Sequence, residues 1–287
     1  MAQFHTPFAT DTVDAPPSGW TARGATTDST WLVKAKSGAE GGQVLEHTSS
    51  ADALRLLSWD NLDSEADVEL LGRMRSSYNT STAATQLTLV ARASGAAGAE
   101  NNYQAQLRYS SLTNNKALRL VRYSNGTLTV LDTVSALNLP ANTWVWLRFR
   151  VQGDQLTTRY WLDGEDEPTT WQQTKTDSTI TTGGWAGLGN FANLGIRDMD
   201  YIAAGTAGDS APLVADTTNP IRLNQALVES YVIDPAPMAR LAQVAVESFV
   251  TGQIPLRCHQ LALEVFVQAL ETPPEGDGLY TIINIST

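Results

Sequence analysis

The 287-residue chain holds one cysteine, Cys258, and three histidines, His5, His47 and His259. A single thiol excludes an intrachain disulfide, and no CxxC pair exists to hold zinc. Cys258 reads as a small buried hydrophobe. None of the histidines lies at ligand spacing from another His or from the Cys, so metal binding and His-driven acid–base chemistry are not expected. Basic residues are also scarce, 19 Lys and Arg against 30 Asp and Glu, for a net charge of −11. That balance lacks the basic footprint of a general nucleic-acid binder. The deficit is even, −6 over residues 1–210 and −5 beyond, so there is no acidic tail. No apolar run approaches the roughly 20 residues a membrane span needs. The opening Met-Ala-Gln-Phe-His-Thr-Pro-Phe has neither the basic nor the apolar segment of a secretory signal. The expectation is a soluble product made in the cytoplasm that leaves it by lysis or as part of a particle. The phosphate-loop, dinucleotide and nucleophile-elbow glycine motifs are missing as well.

What is present falls into two regions. All eight tryptophans lie between residues 20 and 185, whereas three copies of a 12-residue pattern lie after 220. Between them, Ala203-Ala-Gly-Thr-Ala-Gly-Asp-Ser-Ala-Pro212 is small and polar, which suits a connection. The expected organisation is one domain over 1–205, a linker over 206–220, a repeat region over 221–271 and a tail over 272–287. An apolar fraction of 42% supplies enough side chain for a sizeable core.

The first region reads as all-β. Alternating runs occur at 67–75, 86–92, 103–109, 118–123, 127–131, 144–151 and 155–162. Asn125-Gly126 and Gly153-Asp154 separate two pairs of runs as hairpin turns. On the run from 144, Val145, Leu147, Phe149 and Val151 share one face, and Trp144, Trp146, Arg148 and Arg150 the other. No segment here shows a helical period of useful length.

Trp161, Asp163, Gly164, Pro168 and Trp171 fill a W-x-D-G-x-x-x-P-x-x-W pattern, followed by Gly184-Trp-Ala-Gly-Leu-Gly189. Together with Asn142-Thr-Trp144 ahead of a long strand, this resembles the late strands of concanavalin A-like, laminin-G-like jelly-roll domains over roughly residues 8–205. The resemblance implies a mainly β antiparallel sandwich whose members bind sugars, bind proteins or merely pack. It also implies that Trp161 and Trp171 pack rather than bind. Relatives often hold calcium on loop carboxylates. No compact Asp/Asn cluster is evident here, so no cofactor is expected.

Two candidate sites arise from the first region. The face of Trp144, Trp146 and Arg148 is the candidate ligand-binding surface, because aromatic faces stack on pyranose rings and large aromatics otherwise serve cores. Glu65-Ala-Asp-Val-Glu69 resembles the E-x-D-x-E strand of jelly-roll glycoside hydrolases, whose alternating carboxylates act as nucleophile and acid. It sits too early in the domain and lacks the Trp-rich approach of those enzymes. A solvated strand entry is the expectation, with no catalytic residue and no enzyme activity.

The repeats are Ile221–Val232, Ala239–Val250 and Leu256–Val267, each reading apolar-Arg-x-x-Gln-x-x-apolar-Glu-x-aromatic-Val. Arg222, Gln225, Glu229, Arg240, Gln243, Glu247, Arg257, Gln260 and Glu264 recur at fixed positions, and the three arginines are the only basic residues after 210. One unit cannot bury its apolar side alone, so the repetition marks an assembly device in which Arg-to-Glu pairing sets register. Valine and aromatic content favours strands, each about 40 Å long at ~3.3 Å per residue. A helical arrangement, with Arg, Gln and Glu in one polar stripe, stays open. The pattern resembles segments at the ends of tailed-bacteriophage virion proteins. The resemblance implies a structural virion protein, a homo-oligomer in contact with other virion proteins. Its jelly roll would be displayed at the tail or tail fibre with contact to host glycan. A capsid decoration protein and a free-standing non-catalytic carbohydrate-binding module are the alternatives.

Overall fold

The computed structural model describes residues 3–24, 29–49, 52–78, 85–110, 116–191 and 195–213. The repeats of 221–267 and all nine of their Arg, Gln and Glu positions lie outside the described residues. Fifteen strands follow in chain order: β1 Gln3–Thr6, β2 Trp20–Gly24, β3 Ser29–Ala35, β4 Gln43–Ser49, β5 Arg55–Trp59, β6 Val68–Ser76, β7 Thr85–Ser94 and β8 Asn101–Tyr109. Then come β9 Ala117–Ser124, β10 Thr127–Ser135, β11 Val145–Gln152, β12 Gln155–Leu162, β13 Gln173–Thr176, β14 Trp185–Asn190 and β15 Arg197–Thr206. One 3₁₀ turn, Glu40–Gly42, is the only helical element among the described residues.

The strands form two antiparallel sheets, which bears out the jelly-roll expectation. One sheet runs β13-β12-β11-β6-β15-β4-β3, with β1 also on β15. The other runs β10-β9-β8-β7-β14-β5-β2. The last strand carries β4 along its first residues and β1 along its later ones, so both ends of the domain share a sheet. Asn125 and Gly126 have φ of 48° and 74°, the positive values a type I′ hairpin requires. Gly153 supplies φ of 58° at the first position of the β11–β12 turn.

The core sits between the sheets and comes from strand alternation. Val145, Leu147, Phe149 and Val151 of β11 face Leu87, Leu89 and Ala91 of β7 and Tyr103, Ala105 and Leu107 of β8, all fully buried. Facing apolar rows of this kind are what bind two sheets at about 10 Å separation. The expected linker does not begin at 206. Ala207 donates to the Asp67 carbonyl, Gln3 and Arg150 bind Ser210, Ala211 is buried, and the Tyr201 hydroxyl donates to the Pro212 carbonyl at 3.0 Å. Residues 207–213 therefore belong to the sandwich, and the compact unit ends at Leu213.

Candidate functional site

The expected ligand face lies on the outer side of the larger sheet, and it is closed. Trp144 and Trp146 are 9% exposed and Arg148 is 4% exposed. Trp146 stacks on Trp161 with centroids 6.0 Å apart, and its indole N–H donates to Asp163 at 2.9 Å. Arg73 and Arg75 cover the ring of Trp144 at 4.7 and 4.3 Å. Arg150 and Arg159 cover Trp171. The W-x-D-G hairpin makes this lid: Asp163 accepts from Arg73 at 2.7 Å, and the Pro168 carbonyl accepts from Arg159. Trp161 and Trp171 thus pack, as the resemblance implies. Trp144, Trp146 and Arg148 form no open platform, because neighbouring guanidinium groups and the 163–172 segment occupy their outward side.

The same face explains the acidic motif. The strand begins at Val68, so Glu65 and Asp67 precede it and the three carboxylates do not line one cleft. Glu65 bridges Gly184 through its backbone. Asp67 accepts from Arg92 and from the Gly153 amide. Glu69 is 2% exposed, against the expectation of a solvated strand entry. It is held by Arg148, by Arg150 at 2.5 Å and by the Ala211 amide at 3.1 Å. Both of its carboxylate oxygens are therefore engaged by guanidinium groups. A bulge in β15 turns Asp198 to Arg75 and Asp200 to Arg73. Burial raises the Asp200 carboxyl to about 6, with Arg73 opposing the shift.

His47 is fully buried on Trp31, with ring centroids 3.9 Å apart, and its Nδ1 accepts from Arg197 at 3.1 Å. Burial, then the charges of Arg197 and Arg55, lowers it to about 2, so it stays neutral. Tyr103, in the core, donates to Asp177 at 2.7 Å, and burial followed by that bond raises it to about 12.

The outer side of the smaller sheet is built differently. Along β8, Tyr103, Ala105 and Leu107 turn to the core, leaving Asn102, Gln104, Gln106 and Arg108 on the far side. The amides form a polarised row. Gln106 Nε2 donates to Gln104 Oε1 and Gln104 Nε2 donates to Asn102 Oδ1, each at 2.8 Å. On β14, which lies beyond β7 in the same sheet, Gly187 and Gly189 replace side chains with backbone. A Cβ at Gly189 would lie 3.0 Å from Val90 and 3.1 Å from Leu56. Asn102, Gln104 and Gln106 are 0%, 1% and 4% exposed, so the row is a buried floor whose polar atoms lie just beneath the surface of the sheet. Half-buried Gln86, Arg108, Arg119 and Trp185 border it, with exposed Arg23, Leu128 and Val130 beyond. Trp185 packs against the apolar cluster of Leu54, Leu56, Val90, Ala93, Val121 and Tyr123 on this side of the sheet. Several floor atoms are buried without a hydrogen-bond partner: Asn102 Nδ2, Thr88 Oγ1 and Gln86 Oε1. Such atoms are rare in folded proteins because each costs about 1–3 kcal/mol.

Sequence reasoning passed over this face. Its alternation Asn102-Tyr-Gln-Ala-Gln-Leu-Arg108 is the ordinary signature of a strand with one wet side. Three amides at alternate positions were the available signal. Among the described residues, no cluster of three His, Cys, Asp or Glu could hold a metal ion.

With the geometry in hand, relatives can be set beside it. A search of curated proteins finds no match. Among solved structures, a carbohydrate-binding module, CBM66, from Bacillus subtilis is 18% identical over 64% of this chain and 90% of its own, with a TM-score of 0.40. The calcium-bound exoplasmic/lumenal domain of VIP36 is 13% identical over 72% and 91%, with a TM-score of 0.49. The CBM2 module of the evolved Dit of Lactobacillus casei BL23 phage J-1 is 17% identical over 72% and 96%, with a TM-score of 0.45. The family model that matches spans residues 27–192, from just before β3 to just after β14. On that match, more than half of its length, the chain belongs to the family of the beta xylosidase C-terminal concanavalin A-like domain.

Proposed function

We propose that this chain is a non-catalytic carbohydrate-binding protein of a tailed-phage particle. In this reading the jelly roll recognises a glycan on the outer side of its smaller sheet, and the C-terminal repeats attach it to the particle. The observation that carries the glycan half is the row Asn102–Gln104–Gln106 over a glycine floor. A side-chain amide offers donors and an acceptor together, which matches a sugar hydroxyl pair. The row extends about 20 Å to Arg108, at ~3.4 Å per residue, enough for several sugar rings. Trp185 of β14, two strands away on the same side of the sheet, supplies an aromatic ring. The non-catalytic half is supported by Glu69, whose carboxylate is consumed by Arg148 and Arg150. The particle half is supported by the three repeats.

The test is a glycan array probed with the full chain, followed by calorimetry on the best hit. Gln104→Ala and Trp185→Ala should each lower affinity at least about tenfold, the loss expected for one hydrogen bond or ring contact in a desolvated site. Trp144→Phe, on the closed face, should leave binding unchanged. Binding that survives both changes on the smaller sheet and fails with Trp144→Phe refutes the assignment of the face. For the repeats, the mass of the full chain in solution is compared with that of an Arg222→Glu, Arg240→Glu, Arg257→Glu variant. Loss of an oligomer supports the assembly role, and a monomer in both cases refutes it.

A further inference from the structure

The smaller sheet's outer side carries a charge that the fold does not use. Asp and Glu outnumber Lys and Arg by 30 to 19, and the arginines have taken partners accordingly. Arg73, Arg75, Arg122, Arg148, Arg150 and Arg159 all sit in ion pairs. Arg23 binds Ser58, and Arg92 binds three carbonyl groups. Arg119 is the exception: it makes neither a hydrogen bond nor an ion pair among the described residues, yet it is half-buried. It stands on β9 directly across from Gln106, at one end of the amide row, and across from Thr133 on β10. The nearest like charge is Arg108, two residues past Gln106 on β8. Burial first and Arg108 second hold the Arg119 guanidinium below its ordinary range. A half-buried guanidinium with no counter-charge costs stability, and an anion placed on Arg119 repays that cost.

We propose that the saccharide received by this face is anionic, with its acid group held by Arg119 beside Arg108 and its hydroxyls held by Gln104 and Gln106. This rests on the glycan reading above and narrows it to a chemical class. The guanidinium fork suits a carboxylate or a phosphate on a sugar, since both accept two parallel N–H donors. The unpartnered Thr88 Oγ1 lies one strand over from Gln106 and extends the same polar floor.

The experiment measures the full chain against three matched pairs: 3′-sialyllactose with lactose, trigalacturonate with its methyl ester, and mannose 6-phosphate with mannose. At least one acidic member should bind about 10- to 100-fold tighter than its neutral partner, the factor supplied by a charge-assisted hydrogen bond. The winning pair identifies carboxylate or phosphate. The gap should shrink between about 50 mM and about 0.5 M salt, because half-exposed charges are screened. Arg119→Gln should close the gap to below about twofold and leave the neutral member's affinity intact, while Arg119→Lys keeps part of it. Arg119 has no partner to lose and its charge is disfavoured by burial, so the variant should melt at or above the wild-type midpoint, which is measured alongside. Equal binding of acidic and neutral partners overturns the inference and leaves the glycan reading standing. So does an equal loss for both in Arg119→Gln. No binding of any saccharide, on the pairs or on the array, overturns both.

Discussion

Glu69→Gln tests whether the outer side of the larger sheet is a closed ionic lattice. The Glu69 side chain is 2% exposed and is shared by Arg148, itself 5% exposed, and Arg150, 28% exposed. Removing one member of a buried pair costs about 3–5 kcal/mol, because the remaining charge stays desolvated. Two features place this case at the lower end. Arg148 keeps Glu167, and glutamine keeps an acceptor for the Ala211 amide. The expected loss is about 3 kcal/mol. For a domain of this size each kcal/mol moves the midpoint by roughly 2–4 °C, so the melting temperature should fall by roughly 6–12 °C. Near-ultraviolet circular dichroism is the suitable probe, because Trp144, Trp146 and Trp161 all sit in this layer. A double variant, Glu69→Met with Arg148→Met, should recover part of the loss, since an apolar pair carries no desolvation penalty. A single-variant shift below about 2 °C, or a double variant worse than the single, refutes the lattice as described.

Other expectations follow from the same contacts. Gly187→Ala would put a Cβ 2.1 Å from the Leu57 carbonyl, so it should destabilise by on the order of 3 kcal/mol in a urea titration. Tyr103→Phe removes the hydroxyl that binds Asp177 and the Ile180 amide, and should cost about 1–2 kcal/mol in the same assay. Asp200 has its folded carboxyl raised to about 6 from an ordinary 3.8. The folded state therefore binds that proton more tightly, and its contribution is complete below about 3.8 and lost as pH rises through about 6. The stability of wild type relative to Asp200→Asn should decline over that window. Parallel curves at pH 4, 5, 6 and 7 would contradict the burial of this carboxyl.

Much of the β structure was legible in the chain because it is local. Alternation at Val145, Leu147, Phe149 and Val151 places a strand and its buried side with no knowledge of a partner, and Asn125-Gly126 admits few turns other than the one observed. The W-x-D-G pattern likewise carried the jelly roll and the packing role of Trp161 and Trp171. The faces beyond the core were not legible. Trp144 and Trp146 lie on the outward side of their strand as read, but outward from a core is not the same as open to water. Their closure needs Arg73 and Arg75 from a strand some 70 residues earlier and Asp163 from a later loop. Glu69 looked solvated because its partners, Arg148 and Arg150, are about 80 residues away.

The chain alone therefore determined which residues become strands and which side of each strand is apolar, because both depend on a period of two along a short stretch. It also fixed that a single cysteine allows no intrachain disulfide and that the charge balance is acidic. Tertiary structure decided which polar side chains were consumed and which were left over. Ion pairs form between strands adjacent in a sheet but distant in sequence, and only that adjacency locks Glu69 to Arg148 while leaving Arg119 without a counter-charge beside the amides of β8.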